Sequence, residues 1–362
     1  MTPMITHHID HPSAWIGSDF KGREDFSIDL TSRHLRALDS ALQRIREKDL
    51  SLKDMTKESF ALDDIEDFID EVSDEIMNKR GFVMLRGWPV DRYSVEDLGA
   101  MYFGFGLQFG KAASQSVMGD LLGHVTDHSD ENSQERAYRN KYALSLHTDL
   151  NDLIGMLNVR KAESGGESQY ASAIAVHNEI LATRPDLLEP LYEGFHYHRR
   201  GEQGPGQEPV TPHKVPVFST VDGILSCRYV DTYMPAAAAE LGVDLPPKLA
   251  EAIDYFEAVS AREDIRLEMI VQPGEMIFSN NFTVLHGRSN FNDGGKPLDQ
   301  RRLFFRLWLD PEEALRRPHV PEVSVYEGDS ITHQEGRKPI YNDDAWEGIE
   351  EYVERKEAAL GE

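Results

Sequence analysis

Residues 1–27 show no usable periodicity; a regular alternation of polar and apolar positions begins only at Leu30. There Leu35, Leu38, Leu42 and Ile45 recur at steps of three and four with Arg and Lys between them, which predicts an amphipathic helix. A second helix is predicted over LDDIEDFIDEVSDEIMNK, where Ile65, Phe68, Ile69, Val72 and Ile76 form one stripe and acidic residues cover the other face. The period then changes. GFVMLRG, residues 81–87, reads as a buried strand bounded by glycines. SVEDLGAMYFGFGLQFG returns to a helix, with Ser94 as its cap and Glu96 and Asp97 in its first turn.

Residues 109–140 are polar and irregular, and read as a long functional loop or lid. Beyond them come the largely apolar YALSLHTDLNDLIGMLNV, ESQYAS as a strand, AIAVHNEILATRP as a helix, and the extended runs GFHYHRR, KVPVFS and ILSCRYV. A helix over PPKLAEAIDYFEAVSARE separates these from strands at IRLEMIVQ, EMIFSN, TVLHGRS and RRLFFRLWL. Many short strands divided by turn residues predict a β-sandwich or barrel with helices packed outside. DDAWEGIEEYVERKEAAL predicts a closing helix. With no internal repeat and no low-complexity linker, the reading is one domain: an N-terminal helical extension (1–78), a core (79–320) and a C-terminal segment (321–362).

Composition narrows the class. The 362 residues are 40% hydrophobic and 28% charged, enough for a substantial core under a solvated surface. A formal charge of −26, with no Lys/Arg-rich block, argues against a nucleic-acid partner. The single cysteine, Cys227, excludes an internal disulfide and a cysteine-based zinc or iron–sulfur site, and fits a reducing compartment. No stretch approaches the roughly 18–20 apolar residues of a membrane span. MTPMITHHIDHPSAW lacks the basic start and apolar stretch of a signal peptide, so the expectation is a cytoplasmic protein.

Candidate chemistry centres on HTD. His-x-Asp occurs three times, as His8–Asp10, His128–Asp130 and His147–Asp149. The first lies in the aperiodic N-terminus and the second in a solvated loop; only the third has ordered surroundings. On a strand, residues i and i+2 point to one face, so His147 and Asp149 would converge. They suit either a core hydrogen bond or two-thirds of a metal site. A third ligand has to come from elsewhere. His196 and His198 share one predicted strand, while His286 lies in a turn-then-strand segment closed by Gly287. QRRLFFRLWLD follows it, carrying Arg302 and Arg306 four residues apart.

Together these segments resemble the iron(II)- and 2-oxoglutarate-dependent dioxygenases of the taurine dioxygenase and clavaminate synthase group. HTD resembles the proximal His-x-Asp, VLHGRS the distal histidine, QRRLFFR the arginine-bearing strand, and SGGES (164–168) a Gly-Gly-Asp-Thr stretch whose hydroxyl assists co-substrate binding. RGFVMLRGWPV resembles the strand that opens the catalytic core. Ser168 stands where threonine is common, and residues 1–78 have no match.

The resemblance implies a mainly β chain with peripheral helices (α+β), on a double-stranded β-helix, or jelly-roll, core. It implies iron(II) held by His147, Asp149 and His286, leaving three adjacent positions open. It also implies 2-oxoglutarate bound with help from Arg302 and Ser168, and dioxygen as the second co-substrate. Arg306 would contact either the co-substrate's C1 carboxylate or an anionic group of the primary substrate. The expected reaction oxidises an unactivated C–H bond of a small organic molecule, by hydroxylation or desaturation, releasing succinate and carbon dioxide. Alternatives are a zinc hydrolase on the same residues and a non-catalytic small-molecule-binding β-sandwich. Arg228 and Asp231 read as a rim ion pair, Arg288 as turn material, and Phe304, Phe305 and Trp308 as core. A homo-oligomer is left open.

Overall fold

The computed structural model describes residues 3–132, 134–326, 330–338 and 340. The helix expected over DDAWEGIEEYVERKEAAL lies outside the described residues. In chain order the strands are β1 (Ser27–Asp29), β2 (Phe82–Arg86), β3 (Lys111–Ala112), β4 (Gly123–Val125), β5 (Leu144–His147), β6 (Leu153–Arg160), β7 (Ser164–Gly165), β8 (Ser168–Ser172), β9 (Phe218–Val221), β10 (Ile224–Cys227), β11 (Leu267–Met269), β12 (Glu275–Asn280), β13 (Val284–Arg288), β14 (Phe291–Asn292) and β15 (Leu303–Asp310). The helices are α1 (Ser32–Glu47), α2 (Glu66–Met77), α3 (Val95–Gly106), α4 (Ala173–Thr183), α5 (Leu188–Glu193), α6 (Tyr233–Glu240) and α7 (Pro247–Ser260).

Two sheets make the core. The larger runs β1-β2-β12-β6-β15-β3, with β4 also on β15; the smaller runs β11-β8-β13-β5. Their facing sides share one apolar cluster: Phe82, Met84, Ile277 and Phe304 from the first, Tyr170, Met269 and Val284 from the second. Strand alternation sends the neighbouring residues the other way. Val83, Leu85, Phe278, Phe305, Leu307 and Leu309 pack outward onto α1, α2 and α3. Behind the smaller sheet, Ala171 and Leu285 pack against α4, α5 and α7. This two-sheet arrangement is the jelly roll that the sequence led us to expect.

The amphipathic segments fold as their periods predict. Ser94 Oγ accepts the Asp97 amide and starts α3. On α1 the buried stripe is Ala37, Leu38, Ala41, Leu42 and Ile45, but Leu35 is only half-buried. His34 takes the inward place, stacked on Phe68 at 4.1 Å.

Other segments depart from the pattern. Residues 3–27 are anchored by single side chains: Trp15, Phe20 and Phe26 cluster on Phe82 at centroid distances of 5.0–5.9 Å. β1 then pairs in parallel with β2. Strand β1 has three residues, too few to display a period. Within 109–140, β3 and β4 join the edge of the large sheet. Residues 195–198 make only isolated bridges, Phe195 to Val215 and His198 to Val210, in place of the expected strand. Helices α5 and α6 had no legible period. Among the described residues no helix is long and apolar enough to cross a membrane.

Candidate active site

β5 and β13 are antiparallel neighbours in the small sheet, and their register sets His147 directly opposite His286. Directly opposed residues bring their Cβ atoms within about 4.5–5.5 Å. The two imidazole centroids lie 4.4 Å apart. Asp149 completes the group by a different device. β5 ends at His147, so the carboxylate is not held by the strand pleat. The loop after it is tied down instead: Thr148 N donates to Tyr229 O at 2.7 Å, and Asp149 N to Asn281 Oδ1 at 3.1 Å. Arg228 Nη1 donates to Asp149 O. Arg228 is thus buried behind the site, stacked over Phe282 at 4.7 Å, and not on a rim.

Asp149 Oδ1 stands 3.8 Å from His147 Nε2, and Oδ2 3.8 Å from His286 Nε2. One donor atom from each of the three lies within 4.8 Å of the others, and these are the residues that could hold a metal ion among those described. Ser145 O can only accept, so the 2.7 Å contact to His147 Nδ1 puts a proton on that nitrogen and turns Nε2 toward Asp149. Burial, then the His147 charge, push His286 down to about 3, so its imidazole is neutral near pH 7. For Asp149, burial pushes the carboxyl up. Arg306, the two histidines and a hydrogen bond from Trp308 outweigh this and hold it at about 2. Two imidazoles and one carboxylate suit a divalent ion such as ferrous iron.

A line of inward-facing residues, Arg302, Phe304, Arg306 and Trp308, runs along β15 toward the same point. Trp308 Nε1 donates to Asp149 Oδ2 at 2.6 Å, and Arg306 Nη1 lies 3.4 Å from that oxygen. Trp308 is therefore a site residue as well as core. Arg306 Nε is fixed by Gln115 Oε1 at 2.8 Å, and its guanidinium sits between the rings of Tyr138 (4.7 Å) and Trp308 (4.8 Å). Gln115 and Tyr138 come from the 109–140 segment.

Arg302 lies deeper. Its guanidinium stacks over Phe304 at 4.1 Å and Phe291 at 4.9 Å, and Nη1 is buried without a hydrogen-bond partner. Arg301, its neighbour, turns outward to Asp130 at 2.5 Å. Desolvation and the charge of Arg288 both disfavour the cationic form of Arg302. An orphaned buried guanidinium fits an anionic ligand group. The Gly165–Gly166 turn makes the room: both have positive φ, +70° and +78°, and a Cβ on Gly166 would lie 3.3 Å from Arg302 Nε. Ser168 is buried and pairs with Arg288 across the sheet. Arg288 belongs to β13, not to a turn, and its Nη2 donates to Asn140 O at 2.9 Å and Tyr142 O at 2.6 Å.

His196 and His198 stay apart from this group, on Thr211 O at 2.7 Å and near Glu240 at 3.8 Å. Sequence reasoning read Arg228 as a rim residue and Trp308 as core only, and passed over Asn281. The consecutive amides of FSNNF were a faint signal for Asn281; nothing local marked the other two.

The pattern of the taurine catabolism dioxygenase TauD, TfdA family matches residues 47–308. The chain belongs to this family. Among its TauD-family relatives, FR-33289 synthase from Streptomyces rubellomurinus is 26% identical over 323 residues, covering 88% of this chain and 95% of that protein. The taurine hydroxylase-like protein SAT17 from Stachybotrys chartarum is 27% identical over 320 residues, 84% and 80% of the two chains. The crystal structure of the non-haem iron oxygenase OrfP in complex with iron and alpha-ketoglutaric acid superposes with a TM-score of 0.57 at 14% identity, covering 79% of this chain and 94% of that one. This TauD-family chain is an iron(II)- and 2-oxoglutarate-dependent dioxygenase acting on a small organic molecule, with dioxygen as co-substrate.

Proposed function

We propose that His147, Asp149 and His286 hold the iron(II), that Arg302 receives the distal carboxylate of 2-oxoglutarate, and that Ser168 adds a hydroxyl contact to it. The observation that carries this reading is the convergence of three metal-ligating donors at one end of a strand face, with the orphaned Arg302 Nη1 at the other. Iron(II), when bound, supplies the coupled oxidation of 2-oxoglutarate to succinate and carbon dioxide and of a substrate C–H bond by dioxygen.

The protein's own groups do the positioning. A divalent ion held by one carboxylate and two imidazole ligands carries a net single positive charge, which attracts a dianionic co-substrate. Arg302 offers a planar fork matched to a carboxylate, held in place by two phenyl faces. Arg306, clamped by Gln115, presents a second cation beside Asp149. We assign it to the C1 carboxylate or to an anionic group on the primary substrate, and so favour an anionic substrate. Residues 79–320 form the catalytic core in this reading, with 1–78 packed on it. The single buried Cys227 accords with a reducing compartment, and we keep the cytoplasm as its place.

The test is anaerobic calorimetry of 2-oxoglutarate against the iron(II)-loaded protein, followed by a succinate screen over small anionic metabolites. His147→Ala and Asp149→Ala should each abolish stoichiometric metal binding. Full metal binding in either variant would overturn the ligand assignment. Unchanged co-substrate affinity in Arg302→Ala would overturn that of Arg302.

A further inference from the structure

Asp149 has two oxygens, and their distances to the imidazoles do not distinguish them, since each lies 3.8 Å from one Nε2. Hydrogen bonding does. Oδ2 receives the Trp308 indole N–H at 2.6 Å and faces Arg306 Nη1 at 3.4 Å, while neither group reaches Oδ1 at hydrogen-bond distance. We propose that Trp308 is a positioning residue that selects the metal-binding oxygen of Asp149, holding Oδ2 so that only Oδ1 reaches the metal. This rests on the reading above that Asp149 is a ligand.

Trp308 is built for the task. It is 5% exposed, and its indole plane is fixed between the Arg306 guanidinium and the barrel wall, where it pairs with Ile154. A buried indole N–H finds a partner, and a charged acceptor strengthens that bond. Arg306 is the weaker hydrogen bond, because its Nη1 stands 3.4 Å from Oδ2 against 2.6 Å for the indole nitrogen. A metal ion approaching Oδ2 would meet the N–H dipole and the guanidinium charge head-on.

The consequence is a coordination count. Two imidazoles and one oxygen leave three of six positions, enough for a chelating keto acid and dioxygen. A carboxylate bound through both oxygens leaves two. Loss of the indole N–H should therefore weaken co-substrate binding more than metal binding.

Trp308→Phe keeps a ring against Arg306 and deletes the donor. With cobalt(II) as an oxygen-insensitive probe metal, calorimetry should give a metal Kd within about threefold of wild type. The 2-oxoglutarate Kd of the metal-loaded protein should rise about tenfold or more, about 1.4 kcal/mol, because the second carboxylate oxygen takes a position the co-substrate needs. Where Phe lowers the melting temperature too far, β-(3-benzothienyl)alanine at position 308 keeps the bicyclic shape without the N–H, and the same pair of constants is read. A 2-oxoglutarate Kd within about twofold of wild type overturns the proposal, as does a loss of metal affinity alone. Failure of the wild-type protein to bind 2-oxoglutarate would instead bring down the underlying site assignment.

Discussion

Arg302 holds a charge in a place where the protein supplies no ion pair for it among the described residues; two phenyl rings and a backbone contact to Asp293 are its setting. Such a group is costly without a ligand and valuable with one. Arg302→Met should raise the melting temperature of the ligand-free protein while weakening 2-oxoglutarate binding. Charge-assisted hydrogen bonds are worth about 1.5–3 kcal/mol, so the expected loss is about 10–100-fold in Kd. A variant with lower stability and unchanged affinity would contradict this account. Arg228 works through the main chain. Replacing it by Met removes the donor to Asp149 O, and cobalt(II) affinity should fall about tenfold or more with the fold retained by circular dichroism. Unchanged metal affinity would make it a packing residue only. Arg302 was named from the resemblance of QRRLFFR to the family's arginine-bearing strand. The role of Arg228 was not legible, because CRYVD carries no mark of burial and its partner lies 79 positions away.

Among elements, the strands were legible where an apolar run stood between turn residues, as in β2 and β15. The placement of His147 and Asp149 on one strand face was half right. β5 stops at the histidine, and the aspartate is brought in by hydrogen bonds from Asn281 and Arg228. Two residues of pleat would have given the same direction, so the sequence pattern reached the site by the wrong element. The Gly165–Gly166 turn links element geometry to ligand binding. At Gly166, with φ +78°, alanine is strained and its methyl crowds Arg302 Nε. Gly166→Ala should cost about 1 kcal/mol or more of stability and also weaken 2-oxoglutarate binding. Ser94→Ala, which removes the α3 cap far from these side chains, should cost about 1 kcal/mol by urea denaturation and leave ligand affinity unchanged. Equal effects of the two substitutions on affinity would break the link between the turn and the arginine.

At the scale of the molecule, buried histidines couple stability to pH. Burial is the first cause that lowers both His177 and His198 to about 4, from an ordinary value of 6.5. The unfolded chain takes up their protons below pH 6.5, whereas the folded one does so only near pH 4. Their stability is therefore complete above 6.5 and is lost as the pH falls toward 4. At about 1.4 kcal/mol per pKa unit, each contributes a loss of about 2–3 kcal/mol. Urea denaturation of the metal-free protein at pH 7 and 4.5 should show the fall, and His177→Leu should shrink it; a flat profile would refute it. The amino-acid sequence by itself determined the local elements and a mainly β core, and its short motifs carried the family resemblance that named His147, Asp149, His286, Arg302 and Arg306 as candidates. Apolar period, capping and short motifs act over a few residues, and those act before any tertiary contact forms. Only the tertiary structure decided that His147 meets His286 across two strands, and that Asp149 is met by Arg228 and Trp308. Those contacts depend on strand register and burial between distant positions, which no local pattern encodes.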